Sequence, residues 1–300
     1  MKTSPAKRRA FAVVAAVMLA YPLGIAGRSF WREYTGFESL PAHVDSAAER
    51  QLVPALEDVS WSSGDGVIRG WFVPGTRAAA VVLVHGSGGN RTEVVSELGI
   101  LAHDGFSVLA FDWPGHGEST GTVAWDAPER DALRHGLDWL EARRPGDVIG
   151  GYGFSLGTIP LVQVAASDAR IRALVLAGAP PSYVDLARWE YRKHGILAVE
   201  PAILGMRAHG MHLDDDVPTR IIGDFAPRPL LMFSGERDVT VPTSVSRPLF
   251  DAAREPKAFV VVPGAVHGKY AEAGGGAYAA RLRSFFENAL RDPRVAGSPP

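Results

Sequence analysis

The sequence predicts an α/β architecture in which a mostly parallel sheet is covered by helices on both faces, and three observations predict it. Continuous apolar, β-branched runs recur at Ala78–Val84, Phe106–Phe111, Asp147–Tyr152 and Ile171–Ala177, the pattern of strands buried on both sides. Stretches with helical spacing separate them, as where Leu133, Leu137 and Leu140 mark one apolar face. The alternation of strand and helix then repeats at the spacing that parallel βαβ units need. With 300 residues, 46% of them hydrophobic, the chain suffices for one large domain.

Taken in order, Lys2, Lys7, Arg8 and Arg9 precede an uncharged stretch from Ala10 to Gly27, which then meets Arg28 and Arg32. Such a segment over residues 1–28 reads as an export signal, either a cleaved signal peptide or an uncleaved anchor, with the anchor preferred. Positive charge ahead of it predicts the N-terminus inside and the domain outside the cytoplasm, membrane-anchored or, after cleavage, secreted or periplasmic. Residues 29–54, with Phe30, Trp31, Tyr34 and Phe37, read as a juxtamembrane linker. Leu56–Trp61 and Val67–Val73 flank Ser63-Gly64-Asp65-Gly66, a turn signature, and form an opening hairpin.

The main domain is expected over residues 55–292. Strand Ala78–Val84 ends in His85-Gly86-Ser87-Gly88-Gly89-Asn90, a helix follows over about Thr92–His103, and strand Phe106–Phe111 leads into a loop from Asp112 to Ser119. A helix over Trp125–Arg143, strand Asp147–Tyr152, a helix over Thr158–Ala166 and strand Ile171–Ala177 come next. The alternation stops at about 180–227, read as a cap or lid over the site, and resumes with strand Pro229–Phe233. A helix near Ser244–Ala253, strand Phe259–Val262 and a last helix over about Ala277–Leu290 follow, and residues 293–300 are expected to be a disordered tail.

Composition excludes several classes of chemistry. The formal net charge is −2 with no basic stripe, so nucleic acid is not an expected partner, and small or neutral substrates fit better. Cysteine is absent, which removes disulfides, thiolate catalysis and Cys-ligated zinc together.

The chemistry centres on Gly153-Phe154-Ser155-Leu156-Gly157, a G-x-S-x-G between a strand and a helix. A nucleophile lifted clear of a sheet needs a tight strand-to-helix turn, where flanking side chains would collide with backbone. A serine hydroxyl attacks a carbonyl only when a histidine removes its proton, and that histidine needs a carboxylate to hold its tautomer. Functional groups in such a sheet gather at the carboxyl ends of the strands. Asp238 follows Pro229–Phe233 and His267 follows Phe259–Val262, which gives the order Ser155, Asp238, His267, with Glu236 a near rival as the acid. The oxyanion formed on attack needs preorganised N–H donors, and the amides of Leu156 and Ser87 are the candidates, with Gly88 behind Ser87.

The segments HGSGGN, FDWPGHGEST, GFSLG, SGERDVTVP and VPGAVHGK, in this order from about Val59 to Leu290, resemble the α/β-hydrolase superfamily, and most closely its membrane-anchored or exported bacterial serine hydrolases. The resemblance implies an eight-stranded, mostly parallel sheet, a Ser155-Asp238-His267 triad, and hydrolysis of an ester, thioester or amide through an acyl-enzyme. It also implies that Asp112 organises its loop instead of reacting.

His209, His212 and Asp214–Asp216 offer imidazole and carboxylate ligands, but their spacing fits no established zinc pattern, and a solvated cap surface is the reading preferred. The expectation is therefore a cofactor-independent serine hydrolase, carboxylesterase- or lipase-like, acting on small-molecule acyl esters, lipid-like ones included. The alternatives are a serine peptidase or amidase, and a non-catalytic binding protein on the same fold.

Overall fold

The computed structural model describes residues 5–36 and 40–291. Lys2, Phe37 and the tail 293–300, each given an expected place above, lie outside them. In chain order the elements are α1 (Pro5–Thr35), β1 (Leu40–Pro41), α2 (Ser46–Leu52), β2 (Glu57–Ser63), β3 (Gly66–Val73), β4 (Ala79–Val84), α3 (Val95–His103), β5 (Ser107–Phe111), β6 (His116–Gly117) and α4 (Ala127–Arg143). Then come β7 (Val148–Phe154), α5 (Thr158–Ser167), β8 (Ile171–Ala177), α6 (Tyr183–Tyr191), α7 (Ile196–His209), α8 (Pro218–Ile221), β9 (Leu230–Gly235), α9 (Thr243–Ala252), β10 (Lys257–Val262) and α10 (Tyr270–Ala289).

Eight strands form one sheet in the order β2-β3-β5-β4-β7-β8-β9-β10. The two pairings at the β2 end are antiparallel and the other five are parallel. The hairpin closes with Ser63 opposite Gly66, and Gly64 takes φ 57° in the turn, a left-handed conformation that favours glycine. β4 and β5 are buried at every residue, which is why their sequences are apolar throughout save for Ser107. Their side chains alternate between two cores. Val82, Val84 and Leu109 join Leu133, Leu137 and Ile159 under α4 and α5, whereas Val81, Leu83 and Val108 join Leu98, Leu282 and Phe286 under α3 and α10.

The order of the strands decides where a site can form. After β4 the chain moves one way to β5, then crosses back over β4 to β7, so the loops leaving β4 and β7 diverge at a topological switch point. Val84 pairs with Gly153, which sets the two loops side by side.

The N-terminal segment departs from expectation. Among the described residues no helix is long and apolar enough to cross a membrane, so the expected membrane-anchored placement is corrected. The C-terminal part of α1 is committed to protein packing instead. Ser29 and Glu33 are buried, and Gly205 of α7 lies so close that a Cβ there would stand 2.3 Å from the Phe30 carbonyl oxygen. The Tyr191 hydroxyl donates to Glu33 at 2.6 Å, and Arg32 pairs with Glu190. Nor is the 29–54 stretch irregular throughout: helix runs to Thr35 and again over Ser46–Leu52.

Helices α6, α7 and α8 occupy the interval between β8 and β9 in which the alternation was expected to stop. α6 starts at Ser182, whose hydroxyl accepts the Asp185 N–H at 3.0 Å. α7 ends at Gly210, which adopts φ 111°.

Candidate active site

Ser155 follows the last residue of β7 and carries φ 50°, a left-handed conformation that costs a non-glycine residue about 1–3 kcal/mol. The neighbouring glycines make that turn possible. A Cβ on Gly157 would lie 2.0 Å from the His85 carbonyl oxygen, one on Gly153 2.9 Å from Leu161, and one on Gly86 2.9 Å from the Ser155 Cβ. The Thr158 hydroxyl donates to the Ser155 carbonyl at 2.6 Å and ties the turn to the start of α5.

His267 sits in the loop between β10 and α10, bracketed by Gly264 (φ 68°) and Gly268 (φ 75°). Its ring packs against Phe154 at a centroid distance of 4.9 Å, and a Cβ on Gly178 would come within 3.1 Å of its Cε1. Its Nε2 is 2.8 Å from Ser155 Oγ and its Nδ1 is 2.7 Å from Asp238 Oδ2. A carboxylate only accepts, so Nδ1 carries the proton and Nε2 is left to accept the serine O–H.

Asp238, 3% exposed, is held by four donors. Its Oδ1 accepts the N–H groups of Thr240 (2.9 Å) and Val241 (2.8 Å). Its Oδ2 accepts from His267 and, at 3.1 Å, from the Tyr270 hydroxyl. The rival acid, Glu236, is exposed and turns instead to the N–H of Gly264 at 2.8 Å. Three side chains remote in sequence thus form one continuous hydrogen-bonded chain of hydroxyl, imidazole and carboxylate.

Ser87 and Leu156 line the same cavity as Ser155 and His267, about 530 Å³ in volume. Leu156 lies in the 3₁₀ turn Ser155–Gly157 that enters α5, among the amides that a helix start leaves without intrahelical partners. The loop bearing Ser87 is pinned through Gly86, whose N–H donates to Glu93 at 3.0 Å. Behind it, buried His85 joins two loops: Nδ1 donates to the Gly86 carbonyl at 2.7 Å and Nε2 accepts the Trp113 N–H at 3.0 Å. Burial drives its pKa down to about 3, so the ring is neutral across the physiological range.

Asp112, fully buried, accepts the N–H groups of Arg91 (2.7 Å) and Glu118 (2.9 Å) and pairs with the Arg91 guanidinium. Burial raises its pKa, with the Arg91 charge opposing that shift. It does not meet His267, whose carboxylate partner is Asp238.

The wall of the 530 Å³ cavity comes from two directions, the expected cap and, unexpectedly, α1. Leu186, Ala187, Trp189 and Met206 descend from the inserted helices, and Arg32 and Glu33 arrive from α1. A second cavity of about 390 Å³ also reaches Ser155 and His267 and is lined by Thr92, Glu93, Lys269 and Glu272. A further cavity of about 440 Å³, lined by Asp58, Arg69, Arg91 and Glu118, does not include Ser155 or His267.

The candidate metal ligands are engaged with protein groups. His209 lies 3.0 Å from the Tyr34 carbonyl through Nδ1 and 3.2 Å from that of Val123 through Nε2, His212 pairs with Asp126, and Asp214 pairs with Arg207 at 2.9 Å. Among the described residues no three His, Asp or Glu side chains are grouped to hold a metal ion.

Sequence reading missed Tyr270, Glu93 and the two α1 residues. Tyr270 lies three positions past His267, but the helix it begins was expected only from Ala277. The run Gly274-Gly275-Gly276 hides the earlier turn, and Gly275 breaks the helix with φ 48°.

Comparison with known proteins agrees with this architecture. The family model for the alpha/beta hydrolase fold matches residues 79–193. The uncharacterized protein Rv2307c of Mycobacterium tuberculosis is 31% identical, over 79% of this chain and 81% of that protein. The lysophosphatidylserine lipase ABHD12 of Macaca fascicularis is 26% identical over 69% of this chain and 53% of its own length. Among solved structures, the Pyrococcus furiosus esterase Pf2001 shares the fold with a TM-score of 0.68 at 20% identity, covering 85% of this chain and 98% of that one. Sequence relationship, strand order and the turn that lifts Ser155 from the sheet agree, and the chain belongs to the alpha/beta hydrolase family.

Proposed function

We propose that the protein is a serine hydrolase that cleaves carboxylic esters, thioesters included, through an acyl-enzyme on Ser155. The observation that carries this reading is the unbroken chain from Ser155 Oγ through His267 to Asp238, at 2.8 and 2.7 Å. As Oγ bonds to the carbonyl carbon, its proton passes to His267 Nε2, and Asp238 stabilises the imidazolium. The amides of Ser87 and Leu156 receive the oxyanion. When the tetrahedral species collapses, the carbon–oxygen bond to the alcohol breaks and the Nε2 proton leaves with that alcohol. Water, deprotonated by the same nitrogen, then attacks the acyl carbon; the bond from that carbon to Oγ breaks, the Nε2 proton returns to Oγ, and the carboxylic acid leaves. Every step uses groups of this chain, the substrate and water, so the mechanism calls on no cofactor.

The inserted helices act as a cap, and the acyl group lies in the cavity beneath them. Leu186, Ala187 and Met206 give that cavity its apolar wall, which suits hydrocarbon chains. The lipase activity named for the ABHD12 relative supports lipid-like acyl esters as the substrate class.

A fluorophosphonate probe tests the proposal. Wild type should turn over esters and lose that turnover as the probe labels it, and Ser155→Ala should neither label nor turn over esters. Folded wild-type protein that fails to label, or Ser155→Ala that turns over esters at the wild-type rate, refutes it. A panel of acyl esters graded by chain length, run beside thioester and peptide substrates, then identifies the preferred bond.

A further inference from the structure

We infer that Tyr270 is a positioning residue of the proposed triad: its hydroxyl sits on the Asp238 oxygen that also takes the His267 Nδ1–H, and fixes both the aim and the charge of that carboxylate. The inference rests on the serine-hydrolase reading above. Three features of the fold converge on it.

First, the hydroxyl is aimed at Asp238, while its oxygen also meets the Gly268 backbone. Tyr270 is 1% exposed, on the first turn of α10, with its ring edge-on to Phe154 at 6.3 Å and stacked on Tyr278 at 6.4 Å. From there it donates to Asp238 Oδ2 at 3.1 Å. Second, the neighbouring chain leaves room for it. Gly178, just past β8, adopts φ 59°, and a Cβ there would stand 2.4 Å from the Tyr270 oxygen. Third, the surroundings keep the phenol protonated: burial, followed by the Asp238 charge, raises its pKa. The group is therefore a permanent donor.

A carboxylate oxygen that receives two donors presents less free negative charge to each. Without the phenol, Asp238 would pull harder on the His267 proton, and the imidazole would stay protonated to higher pH. The other groups that bear on the ring are unaffected by such a change. These are Ser155, the charged groups Arg32, Glu33, Glu190 and Arg192 across the first cavity, Glu93 across the second, and Lys269 and Glu272, which pair with each other at 3.4 Å on the ring's own loop and helix. Further back, Glu97 accepts from the Tyr278 hydroxyl at 2.8 Å, and Tyr278 meets Tyr152 at 3.1 Å.

The test is the pH profile of kcat/KM on a p-nitrophenyl ester for wild type, Tyr270→Phe and Tyr278→Phe, with melting temperatures alongside. Tyr270→Phe should move the acid limb upward by about half a pH unit, so that activity on the limb falls about threefold more than on the plateau. Tyr278→Phe loses its bond to Glu97 and should leave the limb in place. A limb that stays put in Tyr270→Phe, even with a uniform loss of activity, overturns the inference, as does an equal shift in both variants. If Tyr270→Phe folds poorly, Tyr270→3-fluorotyrosine decides. Its stronger donor should move the limb downward, and an unmoved limb overturns the inference. Failure of the underlying reading shows differently, as Ser155→Ala retaining turnover.

Discussion

Replacing Asp238 by asparagine removes one charge and one acceptor from a position where all four sites are taken. Asparagine has one oxygen and one NH₂, and each carboxylate oxygen of Asp238 meets two donors. The NH₂ cannot face the backbone N–H groups of Thr240 and Val241, because neither can turn into an acceptor. It must therefore point at His267, whose Nδ1 then has to accept, leaving the proton on Nε2 and no base for Ser155. The lost charge adds to this. With Nδ1 and Oδ2 2.7 Å apart, the charge centres of an imidazolium–carboxylate pair lie about 4 Å apart, worth about 4 kcal/mol at an effective dielectric of 20. That alone is about 10³ in rate. The expected outcome is a fall in kcat/KM of about 10³ or more for Asp238→Asn on a p-nitrophenyl ester, with the fold retained by circular dichroism. Glu236→Gln, altering the exposed rival carboxylate, should lose less than about threefold. A folded Asp238→Asn variant within about thirtyfold of wild type refutes the assignment of Asp238.

Four further perturbations test the architecture. Gly157→Ala places a Cβ 2.0 Å from a backbone carbonyl oxygen, so it should lower the melting temperature and abolish turnover together. Arg91→Met strands Asp112 as an unpaired buried carboxylate, and urea denaturation should report a loss of about 3–5 kcal/mol. Gly205→Val should push α1 off α7, lower the melting temperature and raise KM for long-chain esters, because Arg32 and Glu33 line the cavity. Below pH 6.5 the unfolded chain protonates His85, whereas the native ring, with its pKa depressed to about 3, does not. Its contribution to stability is therefore complete above pH 6.5 and is lost as pH falls, at about 1.4 kcal/mol per unit. The stability gap between wild type and His85→Asn should narrow accordingly in urea titrations between pH 7 and 4.

Much of the sheet was legible because a strand covered on both faces cannot hide its composition: Ala79–Val84 and Val108–Phe111 are apolar for the reason that they are buried. Ser155 was legible through its glycines, each of which excludes a specific clash. His267 and Asp238 followed from chain order and strand ends, but the choice between Asp238 and Glu236 did not. Two carboxylates share one loop, and only the fold turns one inward and the other to Gly264. The N-terminal segment misled for a related reason. An apolar run does not by itself say what lies against it, and the informative residues lay further on, where Ser29 and Glu33 form a buried polar stripe at i, i+4 spacing. Tyr270 and Glu93 each meet the site through a single hydrogen bond, to Asp238 and from the Gly86 N–H, which no periodicity records.

The pairing of Val84 with Gly153 makes the backbone ladder a ruler for the reacting centre. Ser87 and Ser155 stand three and two residues beyond two hydrogen-bonded neighbours, so their separation is tied to the strand spacing of about 4.8 Å rather than to the softness of either loop. A calibrated gap of this kind cannot loosen gradually, since both strands belong to the doubly covered core. Heating should therefore extinguish turnover and melt the sheet within the same few degrees, with no intermediate range in which a folded molecule has lost its aim.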